Sequence, residues 1–179
     1  RDSMIYSDGA GAVILEETLD EGGIIAHESA TYSLDEAHFI YFGKTNNSTI
    51  TDQRRYIKMY GRKIYEFALS YVPAAMKSCL DKSGYEIGDL KKILIHQANE
   101  KMDEAIVQRF YKLYNLSMPE DIMPMTIGKL GNSSVATIPT LFDLILKGKL
   151  EGHSINKGDL IMFASVGAGM NINAIVYKF

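Results

Sequence analysis

The sequence predicts an α/β fold, because segments of strand length alternate with segments of helical periodicity along most of the chain. Three observations carry this. The apolar run "LKKILI" stops at His96 and passes at once into a helical pattern. Between residues 54 and 83, apolar side chains recur at three- and four-residue steps. The closing stretch "GDLIMFASVGAGMNINAIVYKF" reads as two strands around a glycine-bearing turn.

Taken in order, residues 10–17 ("AGAVILEE") read as a short buried strand ending in charge. "GGIIAHESATYS" and "AHFIYFGK" are rich in β-branched and aromatic residues, and the sequence predicts that they pair as a sheet. Residues 43–53, "GKTNNSTITDQ", are polar and form the clearest loop. The helical stripe that follows is Ile64, Phe67, Ala68, Tyr71, Ala75, Cys79 and Leu80. Pro73 lies within it and predicts a kink or two abutting helices, and Gly84 ends the run. After the strand at 90–95, Asn99 is placed to cap a helix carrying Met102, Ile106, Phe110 and Leu113 on one face. "SMPEDIMPMTIGK" is expected to hold a short strand. "NSSVATIPTLFDLILKGK" is a further helix, kinked at Pro139 and closed by Gly148.

Composition narrows the function. The 179 residues suit one domain with a sizeable core, and the chain, opening on "RDSM" with a strand a few residues in, reads as a piece of something longer. A formal charge of −3 without a dense basic block argues against nucleic acid or an anionic membrane as the main partner. No apolar run approaches the ~20 residues that span a bilayer, and no signal peptide opens the chain. One cysteine excludes an internal disulfide and a multi-cysteine zinc site, and fits a reducing compartment.

The residues that can carry chemistry are few. His96 ends a buried strand at the start of a helix, where α/β proteins place active groups, and Gln97 and Asn99 add donors to that corner. A buried histidine satisfied by backbone is the competing reading. Asn132, in "GKLGNSSVATIP", follows a glycine and precedes two serines able to cap a helix, and alone it reads as a helix entry. The turns "SDGAGAV" and "SVGAGMN" let backbone approach a ligand closely, yet neither has the ending of a phosphate loop. Cys79 lies in the apolar stripe and reads as a small buried hydrophobe, not a nucleophile. His27 and His38 fall in expected strands and His153 in a turn, with no cluster that suggests a metal.

Together these motifs are more specific than any one alone. A strand ending in "HQAN", then "GNSS" opening a helix, then Gly-Asp, an apolar strand and a Gly-x-Gly turn resemble the C-terminal half of 3-oxoacyl-[acyl-carrier-protein] synthase III, a thiolase-superfamily condensing enzyme. "SDGAGAVILEE" and "MYGRKIYEFA" resemble two further segments of that family, so the likeness covers essentially residues 1–179. It implies a thiolase-like C-terminal half, a mixed sheet covered by helices, whose N-terminal half with the nucleophilic cysteine is absent.

The resemblance also implies residue roles. His96 and Asn132 would be two members of a Cys-His-Asn triad, donating to the enolate oxygen formed as malonyl thioester loses carbon dioxide. The backbone at Ala168 would serve the oxyanion of the acyl-cysteine step. Gly61, Ala98 and Asn99 match positions lining a pantetheine tunnel, Tyr65 stands where phenylalanine is usual, and Lys101 matches a basic position that meets the acyl carrier protein. Glu66 replaces a neighbouring basic residue, the connection from His96 to Asn132 is longer than usual, and "MNIN" replaces an aromatic and a glycine.

The implied reaction is decarboxylative Claisen condensation of a short acyl-CoA with malonyl-acyl-carrier protein, initiating fatty-acid synthesis in a cytoplasmic homodimer. The substrates are coenzyme A or phosphopantetheine thioesters, with no permanently bound cofactor. The alternatives are a non-catalytic binding or assembly half, a related acyltransferase with another acceptor, and, more remotely, a Cys79-dependent hydrolase.

Overall fold

The computed structural model describes residues 2–51 and 53–179; Arg1, and Asp52 of the expected loop, lie outside them. The strands are β1 (Gly23–Thr31), β2 (Ile40–Lys44), β3 (Arg55–Met59), β4 (Leu90–Ile95), β5 (Leu160–Gly167) and β6 (Asn171–Lys178). The helices are α1 (Gly61–Ser83), α2 (Glu100–Lys112), α3 (Ile127–Leu130) and α4 (Thr137–Leu146).

Four strands form a mixed sheet in the order β1-β6-β5-β4, with β4 and β5 parallel and the other pairs antiparallel. A parallel strand needs cover on both faces, and the sequence of β4 provides for it. Ile93 and Ile95 join the core beneath α1 and α2, while Leu94, between them, packs with Leu141, Ile145 and Ile161 beneath α4. Helices therefore cover both faces of the sheet, and the α/β arrangement is as expected. Lys92 is buried and reaches the Asp121 carbonyl at 2.5 Å, so its ammonium keeps a partner.

Helix α1 runs unbroken through Pro73 and stops at Gly84, whose φ of 75° suits glycine. Proline cannot supply the N–H that would have bonded the Leu69 carbonyl four residues earlier. Arg109 of α2 donates to that carbonyl instead, at 3.0 Å. Of the expected kink or pair of abutting helices, the pair is absent, and Arg109 satisfies the carbonyl that Pro73 leaves free. Pro139 lies in the first turn of α4, where the missing N–H has no intrahelical acceptor anyway, so the helix begins there without a break. Tyr71 on α1 and Leu113, the C-cap of α2, are more exposed than the predicted stripes imply.

Other expectations are corrected. Residues 10–17 form no strand, because no strand of the described chain lies alongside to complete a ladder. β1 pairs with β6, and β2 pairs with β3, so the two segments predicted as partners belong to different sheets. β3 occupies the beginning of what reads as helix, and α1 starts at Gly61. Residues 117–126 hold no strand; their carbonyls are taken up singly by Ile93, Lys92 and Gln97. His38 ends a 3-10 turn, not a strand. Among the described residues, no helix is long and apolar enough to cross a membrane.

Candidate active site

His96 stands one residue beyond β4, and its backbone N–H donates to Ala164 at 2.8 Å, extending the β4–β5 pairing. The imidazole is thus held in sheet register. Burial lowers its pKa from the ordinary histidine value, opposed by the backbone of Ser134. Burial thus favours the neutral ring, which has one N–H to donate and one nitrogen to accept.

Asn132 is only 3% exposed. It arrives by a different route, through α3 and Gly131, whose φ of 68° needs a glycine. Its backbone is tied to the start of the chain: Asn132 N–H donates to Ile5 at 3.0 Å, and Ser7 N–H donates to Asn132 at 2.9 Å. Its side-chain Oδ1 accepts from Ser134 N–H at 2.8 Å. Neither Ser133 nor Ser134 makes the side-chain cap expected of it; the Asn132 oxygen instead closes an Asx turn just ahead of the entry to α4. With the oxygen engaged, the end of the carboxamide offered to a ligand is the donor, Nδ2.

His96 and Asn132 line one cleft of about 690 Å³, together with Ala98 and Ala168. Ala168 lies in the β5–β6 turn, and its carbonyl accepts from Asn171 Nδ2 at 2.8 Å, which fixes the orientation of that turn. Ser134 and Met170, also on the cleft, have φ of 54° and 51°, conformations uncommon outside glycine. Most of the remaining lining is apolar and comes from elements the sequence did not connect with the site. The β2–β3 hairpin contributes Phe42 and Ile57, and Met59 and Ile64 bracket the entry to α1.

Four expected site residues do not line this cleft. Gly61 opens α1, Tyr65 is largely exposed on it, and Lys101 is exposed on α2. Asn99 caps α2, its Oδ1 accepting from Met102 N–H at 3.1 Å. Gln97 also turns away from the cleft, fully buried among residues 124–126. In the "SDGAGAV" segment, the glycines admit a helix and not a ligand: a methyl at Gly9 or Gly11 would collide with Ser133 or Pro139. Cys79 is buried in the core, its Sγ 3.4 Å from the Ala174 carbonyl, and burial pushes the thiol up from its ordinary value. It is far from nucleophilic.

The mixed sheet between helices, with its cleft at the strand ends, defines the class as a thiolase-like α/β fold. Consistent with this, the crystal structure of 3-oxoacyl-[acyl-carrier-protein] synthase III from Aquifex aeolicus VF5 superposes with a TM-score of 0.73 at 23% identity, covering 91% of this chain and 46% of that one. The chain belongs to the family described as 3-oxoacyl-[acyl-carrier-protein (ACP)] synthase III C terminal, whose family model matches residues 80–179. The beta-ketoacyl-[acyl-carrier-protein] synthase III of Oenococcus oeni is 30% identical over 99% of this chain and 53% of its own length. That of Porphyra umbilicalis is 31% identical over 98% of this chain and 53% of its own. The chain thus spans about half the length of the curated relatives it matches.

Proposed function

We propose that residues 1–179 form the C-terminal half of a beta-ketoacyl-[acyl-carrier-protein] synthase III, in which His96 and Asn132 stabilise the enolate formed by decarboxylation of malonyl thioester. The convergence of these two side chains on one cleft carries the reading. The neutral imidazole gives its N–H and the carboxamide gives Nδ2–H to the developing oxyanion in a largely apolar, poorly solvated setting. Loss of carbon dioxide supplies the carbanion, so no carboxylate base is needed. The carbanion then attacks an acyl group held as a thioester on a cysteine of the other half, and the backbone at Ala168 serves the oxyanion of that acyl transfer.

Family membership extends the proposal to an acyl-CoA primer, malonyl-acyl-carrier protein as the second substrate, and a homodimeric cytoplasmic enzyme. Gly61, Tyr65, Ala98 and Asn99 are assigned to the pantetheine path, and Lys101 to the carrier-protein contact. Because Cys79 is buried away from the cleft, the 179-residue chain alone is expected to bind thioesters without condensing them.

The test joins this chain to a cysteine-bearing N-terminal half and follows malonyl-thioester decarboxylation. His96→Ala and Asn132→Ala are each expected to lower the rate about 10²–10³-fold, the usual effect of removing one oxyanion donor. Wild-type rates in both variants would sink the assignment.

A further inference from the structure

The two proposed donors come from separate parts of the chain, and a single buried side chain bridges those parts. Gln97 follows His96 directly and is 0% exposed. Consecutive residues at a strand end face opposite ways, so with His96 on the cleft, Gln97 points into residues 124–126. Its Nε2 donates to the Pro124 carbonyl at 2.9 Å. Its Oε1 accepts from Thr126 N–H at 2.8 Å and from Thr126 Oγ1 at 3.0 Å. Thr126 is the residue at the N-cap of α3, yet its hydroxyl makes no capping bond and is given to Gln97. From Thr126 to Gly131, the residue before Asn132, the chain is one hydrogen-bonded turn: the Thr126 carbonyl accepts from Lys129 and Leu130 at 2.9 Å, and Gly131 N–H donates to Ile127 at 2.9 Å. Displacement of Thr126 therefore bears on Asn132 through Gly131, against the hold of Ile5 and Ser7 on its backbone, while His96 stays pinned to β5.

We propose that Gln97 is a positioning residue, which sets the spacing of His96 and Asn132 by holding the start of α3 against the end of β4. This rests on the functional reading above. Gln97 touches no substrate in this scheme; it acts through Asn132. An error of about 1 Å between catalytic groups costs rates on the order of 10²-fold, so the bridge bears on turnover more than on binding.

The experiment is a kinetic double-mutant cycle in the joined protein, using Gln97→Met, Asn132→Ala and the double variant. Gln97→Met is expected to lower kcat for decarboxylation at least about ten-fold, with KM changed less than about two-fold. In the Asn132→Ala background the same change is expected to cost less than about two-fold, since the group it positions is gone. Equal loss in both backgrounds would show that Gln97 only supports the fold, overturning the proposal while leaving the donor assignment intact. A wild-type rate for Asn132→Ala would overturn the donor assignment, and with it the role given to Gln97. If Gln97→Met does not fold, Thr126→Val carries the same cycle: it removes only the hydroxyl bond, and Thr126→Ser is expected to restore the rate. A Thr126→Val protein with wild-type kinetics in that case would also overturn the proposal.

Discussion

At the scale of single residues, Asp103 is a buried carboxyl only half satisfied. It is fully buried at the start of α2, Oδ2 accepts from Asn99 N–H at 3.3 Å, and Oδ1 has no partner. Burial pushes its pKa up to about 8, with the backbone of Asn99 and Ala98 opposing and Glu100 and Glu104 adding to the rise. The folded value lies above the unfolded one, near 4. The carboxyl therefore stabilises the fold fully below about pH 4, and that contribution is lost as pH rises through 8, at about 1.4 kcal/mol per unit. Glu28 and Asp81, held low chiefly by Lys82 and Lys77, act in the opposite sense below that window. Asp103→Asn retains an acceptor for Asn99 and cannot ionise. Urea denaturation from pH 4 to pH 8 is expected to show a flatter stability profile and a more stable variant at pH 8. An unchanged slope would remove Asp103 as its source.

At the scale of elements, Pro73 and Arg109 make the pairing of α1 with α2 testable. Arg109→Met leaves the Leu69 carbonyl unpaired and is expected to cost about 1.5–3 kcal/mol. In a Pro73→Ala background, alanine's N–H fills that carbonyl, and the same substitution is expected to cost about 1 kcal/mol less. A stability cycle with zero coupling would exclude the compensation. This is also where the sequence was least legible. β4 and the His96 just beyond it could be read because a buried parallel strand is a continuous apolar run, and α2 because Asn99 caps it locally. Register between distant strands leaves no such local mark, so β1 was matched with its neighbour β2 instead of β6. The 117–126 segment misled for the same reason: a glutamine and a lysine satisfy it from afar. Of the site, His96 and Asn132 were legible through motif, whereas the hairpin wall of the cleft was not, since "RYIKM" was absorbed into the helix pattern.

For the whole molecule, the telling feature is an apolar segment that none of the described residues covers. Ile14 is 93% exposed and Leu19 102%, with Val13 and Leu15 also above 70%, though the stretch has the composition of a buried strand. Gly9 and Gly11 let its beginning pass close against Ser133 and Pro139, beside Asn132. Under the proposed function, the cysteine-bearing half would lie over this segment. Burying these side chains there would bring about 1.5–3 kcal/mol each, before the cost of association. Pairing would also convert unladdered backbone into sheet. Hydrogen exchange should therefore show fast amides at 13–15 in the 179-residue chain and strongly protected ones once the cysteine-bearing half is joined. Ile14→Lys should leave the chain folded and less prone to self-association, while weakening assembly of separately supplied halves at least about ten-fold. Equally fast exchange in both forms, with undiminished assembly of Ile14→Lys, would place the contact between the halves elsewhere on the molecule.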